Sequence, residues 1–268
     1  MNNDFTRHGL IKNLGIIRDQ HPDLLAIAVE MARKVVSDTI RTRLSNQVAY
    51  GVFKGLRLSA KSHWSGSDAG VMLLGLYEQE ILNAVASVAQ PHKIFVNLGA
   101  ADGYYGIGVI VAGLFSHAYC YESNEASRNL IQETAYINHV SDKITIRGTA
   151  EKGFYHQIPF EQSKNMTVLI DIEGGELDIL DRDLFKDLPS SDIIVELHPW
   201  APNFESKMRD IIISSQETHE LIEITTGNRD LSSIAEVQGF HDSYRWLLCS
   251  EGRPMQMSWL HFKPIITA

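Results

Sequence analysis

Short apolar runs recur at a nearly constant interval from residue 94 onward in this 268-residue chain. Six of them occupy residues 94–98, 118–121, 144–146, 168–172, 193–197 and 221–224. The residues at or near their ends, Gly99, Glu122, Ala150, Asp171, Glu196 and Glu223, are 23, 28, 21, 25 and 27 positions apart. One strand, one helix and two short loops span about that distance, so the spacing predicts repeated βα units and a mostly parallel sheet.

The chain before this region is predicted to be largely helical. An apolar stripe at helical spacing has to be buried, either against the main domain or against a second copy of the chain, and the sequence favours neither. Its members are Leu24, Ile27, Ala28, Met31, Val35 and Ile40. A second helical pattern covers residues 71–88. We therefore divide the chain into a helical extension at residues 1–88, serving the acceptor site or a dimer contact, and a main α/β domain at residues 89–268.

The tail allows two interpretations. Asp242 as N-cap and Gly252 after the last turn would bracket a helix over residues 243–251, with a final strand at 257–262. Alternatively, residues 246–249 form a strand and the tail is a hairpin. The helix is preferred.

Composition excludes several classes of protein. The chain carries 24 Lys and Arg against 33 Asp and Glu, a net charge of −9, and only two cysteines, Cys120 and Cys249. Such a chain has no disulfide framework or multi-cysteine metal site, and its longest apolar run, residues 107–115, is too short to span a bilayer. The N-terminal residues lack a signal-peptide layout. We expect a cytoplasmic enzyme that does not coat nucleic acid.

Residues 33–61 contrast with this acidic background, because they hold seven basic residues and one acid, Asp38. Such a run is usually a solvated surface, although it could also receive an anionic group of a substrate. No aromatic residues are interleaved in a way that would favour nucleic-acid stacking.

The turn after the first run has the composition of a ligand-binding loop. Small residues at Gly99, Ala100, Ala101 and Gly103 let a ligand approach the backbone, and a helix predicted to begin near Tyr104 offers free N–H groups. Glu122 ends the second strand 23 residues after Gly99, where a carboxylate can bind both hydroxyls of a ribose.

Two nucleoside cofactors compete for such a site. A dinucleotide fingerprint needs glycine at the third and sixth positions of the turn, and this chain has Ala101 and Tyr104 there. S-adenosylmethionine has no phosphate and tolerates Ala101, and its amino-acid tail can use Asp102 or Asn97. The residues therefore favour the methyl donor over NAD.

These residues resemble S-adenosylmethionine-dependent methyltransferases of the FkbM type. The resemblance rests on residues 95–105 (FVNLGAADGYY), 121–122 (YE), 169–176 (LIDIEGGE) and 194–198 (IVELH). Residues 74–80 (LGLYEQE) are also similar to the segment that precedes the first strand in that family. It covers about half of the chain, with one departure, because the family usually has aspartate where this chain has Asn97. It implies a Rossmann-like seven-stranded class I methyltransferase sheet and methyl transfer to an oxygen of a small molecule or sugar.

Further site residues follow from their positions after the strands. Ser123, Thr149 and Ala150 are predicted to contact the cofactor. Asp171 and Glu173 should face the methyl group and the acceptor, as general base, hydroxyl acceptor or Mg²⁺ ligands, although methyl transfer requires no metal and none is predicted. His198 is the natural candidate base for an alcohol. The predicted substrate-side residues are Trp64, Tyr77, Glu78 and Arg253.

Three other functions stay open at this point. One is an RNA methyltransferase that uses the basic residues 33–61. Another is a non-catalytic interaction module on the same fold. A dehydrogenase is disfavoured by Tyr104.

Overall fold

The computed structural model describes residues 23–63, 66–253 and 255–265, and these contain one seven-stranded sheet of order β3-β2-β1-β4-β5-β7-β6. The strands are β1 (Ile94–Leu98), β2 (His117–Tyr121), β3 (Ile144–Arg147), β4 (Met166–Ile170), β5 (Asp192–Glu196), β6 (His219–Thr225) and β7 (Ser258–Pro264). β1 to β5 are parallel, and β7 runs antiparallel to both β5 and β6. The predicted Rossmann-like seven-stranded fold is confirmed.

Helices surround this sheet. They are α1 (Asp23–Leu44), α2 (Ala69–Leu73), α3 (Gln79–Val88), α4 (Tyr104–Val111), α5 (Glu125–Ile137), α6 (Phe160–Ser163), α7 (Glu176–Ile179), α8 (Arg182–Asp187), α9 (Phe204–Ser215) and α10 (Asp242–Cys249). The helical interpretation of the tail is confirmed by α10, although its N-cap is His241 rather than Asp242. In the part of the chain that the structure describes, no helix has the length and hydropathy needed to cross a bilayer.

The central strands β1, β2, β4 and β5 bury both faces, because alternate side chains enter two separate core layers. One layer holds Phe95, Cys120, Leu169, Ile194 and Trp259 from the sheet. The other holds Val96, Tyr121, Ile170, Val195 and Phe262. The first layer also contains Val36, Phe53 and Leu82, so the segment before β1 shares its core with the sheet.

The predicted helix over residues 71–88 is two helices. α2 ends at Leu73 and α3 begins at Gln79, with Gly75 at φ 68° and Glu78 at φ 43° between them. A Cβ at Gly75 would lie 2.1 Å from the Tyr50 carbonyl oxygen, so glycine allows two backbone segments to touch here. The apolar pattern continues across the break, which is why periodicity alone predicts one helix.

α1 buries a different face from the predicted stripe. Its buried residues are Arg33, Val36, Ser37 and Ile40, whereas Leu24, Ile27, Ala28, Met31 and Val35 are exposed. Two polar anchors set this rotation: Arg33 donates to Asp68 and to the Ser250 carbonyl, and the Ser37 hydroxyl donates to the Ser67 carbonyl. Hydrophobic periodicity does not detect polar anchors of this kind.

Candidate active site

The strand register brings four residues at the ends of strands, three of them predicted site residues, to one edge of the sheet. Leu98 is level with Tyr121 and Ile170, and Ile170 is level with Val195. The next residues along these strands are Gly99, Glu122, Asp171 and Glu196. Parallel strands therefore place a glycine turn and three carboxylates together at their carboxyl ends, where α/β sheets bind ligands.

A cavity of about 800 Å³ opens at this edge. Gly99 lies in its wall at φ 81°, and a Cβ there would come within 1.6 Å of the Asp171 carbonyl oxygen. The N–H groups of Gly99 and Ala100 both donate to the Tyr121 carbonyl at 2.9 Å, which fixes the turn against β2. A ligand of nucleoside size fits a cavity of this volume.

Glu122 is held firmly at the end of β2. One carboxylate oxygen accepts from the Ala101 N–H at 2.9 Å, and the other accepts from the Asn124 N–H at 2.7 Å. The side chain also lines the cavity. The Ser123 hydroxyl also donates to the second of these oxygens, at 3.4 Å, whereas the oxygen bound by Ala101 keeps a lone pair that can receive a hydroxyl donor from a ligand.

Most of the predicted cofactor-contacting residues line this cavity. They are Asn97, Gly99, Ala100, Ala101, Tyr104, Glu122, Ser123, Thr149, Ala150 and Asp171. Asp102 and Gly103 are not in its lining. The Asp102 carboxylate instead accepts from the Ser62 hydroxyl at 2.6 Å and the His63 N–H at 3.0 Å, so it holds the loop before α2 rather than facing the expected amino-acid tail. Gly103 is the N-cap of α4 at φ 92°, where a Cβ would meet Ile107.

The three predicted catalytic residues lie close together: Asp171 and Glu173 line the cavity, and His198, which is not in its lining, lies beside both. His198 is buried, and its Nε2 lies 3.8 Å from Asp171, 3.5 Å from Glu173 and 3.8 Å from Glu196. Burial, together with the negative charges of Glu196 and Glu78, raises the pKa of Asp171 well above its usual range. Asp171 is therefore better suited to hold a proton than a surface aspartate is.

Glu176 orients the His198 ring through a contact with its Nδ1. Its carboxylate accepts from His198 Nδ1 at 2.8 Å and from the N–H groups of Ile172 and Gly174 at 3.0 to 3.1 Å. Burial opposes ionisation, but the His198 and Gly174 hydrogen bonds outweigh it and lower the pKa of Glu176. Burial likewise disfavours protonated His198, yet the Glu176 hydrogen bond and charge raise its pKa above the usual value. A histidine that retains its proton is a weaker general base than the sequence interpretation assumed.

Arg253 is not available to bind an anionic acceptor as expected. Its guanidinium donates to Glu78, to Glu196 and, at 2.9 Å, to Glu251. Tyr77 and Glu78 line the cavity as predicted substrate-side residues. Trp64 lies outside the described residues.

The lining of the cavity holds more acidic than basic residues. It includes Glu78, Glu122, Glu151, Asp171, Glu173 and Asp178 against Lys152. The basic segment does not offset this, because protein groups already engage many of its side chains. Arg41 donates to the carbonyls of Ser59 and Ala60, Arg43 to that of Glu236, and Lys34 pairs with Asp38 at 2.9 Å.

Three residues of the site carried no predicted role. Glu196 ends β5 level with Asp171, which the regular spacing of strand ends could have indicated. Glu176 lies in the first turn of α7, where the helix dipole alone would account for an acid. Tyr105 donates its hydroxyl to Glu78 at 2.6 Å, and no feature of the sequence marks that contact.

No protein-family model matches this chain, and no curated protein sequence matches it. Among solved structures, it is similar to the Bacillus subtilis m1A22 tRNA methyltransferase TrmK, with 14% identity and a TM-score of 0.44 over 68% of this chain and 64% of that one. It is also similar to an rRNA methylase of Streptococcus thermophilus, with 9% identity and a TM-score of 0.46 over 70% of this chain and 98% of that one. A Streptococcus pneumoniae protein solved in complex with S-adenosyl-L-methionine shows 16% identity and a TM-score of 0.44 over 69% and 73%. Likenesses this distant do not indicate a substrate.

Proposed function

We propose that this chain is an S-adenosylmethionine-dependent methyltransferase that acts on a hydroxyl group of a small molecule or sugar. The observation that carries the proposal is the Glu122 carboxylate, held at the end of β2 by the Ala101 N–H beside the Gly99 turn. A carboxylate in that place suits two ribose hydroxyls, and the glycine turn gives the ligand access to the backbone. The FkbM resemblance remains our proposal for the family.

The charge of the cavity supports this donor and a small acceptor. S-adenosylmethionine carries a sulfonium and an ammonium, which an acidic lining attracts, whereas the phosphates of RNA would be repelled. The lining has one basic residue, Lys152, among its charged groups. A neutral acceptor that offers hydroxyl groups suits such a surface better than a polyanion does.

In the proposed reaction, different residues of the cavity bind the methyl donor and the acceptor. When bound, S-adenosylmethionine supplies a methyl group attached to a positively charged sulfur. The Gly99 turn and Glu122 orient the nucleoside, and Asp171 and Glu173 face the acceptor. Alignment of the reacting oxygen is the main contribution to the rate. The methyl carbon would pass from sulfur to that oxygen, its bond to sulfur would break to leave a neutral thioether, and Asp171 or Glu173 would take the hydroxyl proton.

Equilibrium binding of S-adenosylhomocysteine, measured by titration calorimetry, tests the cofactor assignment. Glu122→Ala removes charge-assisted hydrogen bonds of about 1.5–3 kcal/mol and should weaken binding by roughly ten- to a hundred-fold. Glu125→Ala is the matched control, because Glu125 is exposed in the first turn of α5 and does not line the cavity. Failure of the unaltered chain to bind, or equal affinities of the unaltered chain and Glu122→Ala, would refute the proposal.

A further inference from the structure

His198, Asp171 and Glu196 form a set of ligand atoms at the cavity wall that the proposed reaction does not by itself require. One oxygen of each carboxylate and one ring nitrogen of the histidine lie within 4.8 Å of one another. Glu173 adds a further carboxylate oxygen 3.5 Å from His198 Nε2. Metal–ligand bonds of about 2.0–2.2 Å place neighbouring ligand atoms roughly 3 Å apart, so small side-chain rotations would close this set around an ion.

The His198 ring is buried and held by a carboxylate, as metal-binding histidines usually are. Its side chain is only 3% exposed, and Nδ1 is bound to the Glu176 carboxylate at 2.8 Å. This contact fixes the ring so that Nε2 points at the three carboxylates. A carboxylate on the far nitrogen of a coordinating imidazole is the usual arrangement that orients it toward a cation.

The carboxylates provide a second, independent indication. Asp171 Oδ1 is buried, and no hydrogen-bond donor from the described residues reaches it. Glu196 uses Oε1 for Arg253 and turns Oε2 toward His198. An acceptor atom that no donor of the described residues reaches, beside a second carboxylate oxygen and an imidazole nitrogen, is what a bound cation would satisfy.

We propose that Asp171, Glu196 and His198 bind one divalent cation, with Glu173 as an additional ligand and Glu176 as the residue that positions His198. One imidazole and two or three carboxylates form a ligand set that suits Mn²⁺ or Zn²⁺ better than it suits a soft metal ion. Asp171 and Glu173 also line the cavity, so an ion held by them would be reached from it. There the ion would coordinate an acceptor hydroxyl and ease removal of its proton. This role rests on the proposed function, whereas binding of the ion does not.

Electron paramagnetic resonance with Mn²⁺ alone tests this site, because binding removes the signal of the free ion. The full chain, freed of metal with a chelator, should bind one Mn²⁺. Asp171→Asn and His198→Gln should each weaken binding at least ten-fold, and Glu176→Gln by roughly ten- to a hundred-fold. Asp178→Asn is the control, since Asp178 lines the same cavity but pairs with Lys207 and should leave binding unchanged.

The Glu173→Gln variant tests whether a loss of Mn²⁺ binding could be due to misfolding. The Glu173 side chain is 53% exposed, so this variant should fold normally and still bind Mn²⁺ several-fold more weakly. An unchanged free-ion signal with the unaltered chain, or equal binding by the unaltered chain and Asp171→Asn, would overturn the site. S-adenosylhomocysteine binding in the same metal-free sample separates the two proposals. A chain that binds the nucleoside but no Mn²⁺ refutes only the metal site, and the reverse result refutes only the methyltransferase.

Discussion

The carboxyl group of Glu78 is buried, which makes its ionisation unfavourable. It lies almost fully buried at the N-cap of α3, with contacts to Arg253 and Tyr105. Burial, opposed by the Arg253 charge and reinforced by Glu196, raises its pKa from 4.5 to about 7. The folded state thus holds a proton that the unfolded chain releases above pH 4.5, so the stability from this group is present below that pH and lost as the pH rises to about 7.

Glu78→Gln should therefore change the pH dependence of stability. Between about pH 5 and pH 8, the free energy of unfolding of the unaltered chain should fall relative to the variant by roughly 2–3 kcal/mol. Urea unfolding at both pH values measures this difference. Glu80→Gln is the control, because hydrogen bonds from Arg229 and the backbone outweigh burial and lower the pKa of Glu80, which keeps its titration below this range. A constant difference between the unaltered chain and Glu78→Gln across the range would contradict the assignment.

Single residues divide sharply into those that the sequence could place and those that it could not. Gly99, Glu122 and Asp171 were predicted because each follows a strand, and parallel strands gather their ends. The partner of Glu176 could not be predicted, because His198 lies 22 residues away and meets it only across the end of β5. Arg253 was expected at a substrate because two of the carboxylates that bind it, Glu78 and Glu196, come from distant parts of the chain.

The elements of the sheet were predictable, whereas for the helices before it the sequence predicted helical structure but not the buried face of α1 or the break between α2 and α3. Strands recur with a period set by chain geometry, which a sequence displays directly. The face of α1 depends on Arg33 and Ser37, two polar residues that are buried because partners in other segments satisfy them. The break between α2 and α3 depends on contact between Gly75 and the backbone of residues 50–51. Both features originate in tertiary contacts that local patterns do not contain.

Gly75→Ala tests that contact between elements. The substitution incurs the left-handed backbone cost of about 1–2 kcal/mol and also places Cβ 2.1 Å from a carbonyl oxygen, which the backbone can relieve only by moving. Gly113→Ala is the matched control, since Gly113 has φ 70° and no atom within 4 Å of the added Cβ. Urea unfolding should show Gly75→Ala to be less stable than Gly113→Ala by at least about 1 kcal/mol. Equal losses would mean that the close approach contributes nothing.

At the scale of the whole molecule, α1 near the start of the described chain is tied to the segment that follows α10 near its end. Arg33 in α1 donates through Nε and a terminal nitrogen to the Ser250 carbonyl after α10, at 3.2 and 2.9 Å. A Cβ at Gly252 would collide with the same guanidinium, so this segment is shaped around the arginine. The helical extension is therefore joined to the α/β unit by a buried polar contact as well as by the shared apolar core.

Breaking that contact should weaken the molecule as one unit. Arg33→Met keeps the volume of the side chain but removes the donors to Ser250 and the charge beside Asp68, and loss of one partner of a buried ion pair costs about 3–5 kcal/mol. Lys34→Met is the adjacent control, because Lys34 is 56% exposed and pairs with Asp38 on the surface, where a pair is worth at most about 1 kcal/mol. Thermal unfolding should remain a single transition for Arg33→Met and shift to a clearly lower midpoint, while Lys34→Met stays close to the unaltered chain. Two separate transitions would instead show that α1 and its neighbours unfold independently of the sheet, and that the shared core is too weak to couple them.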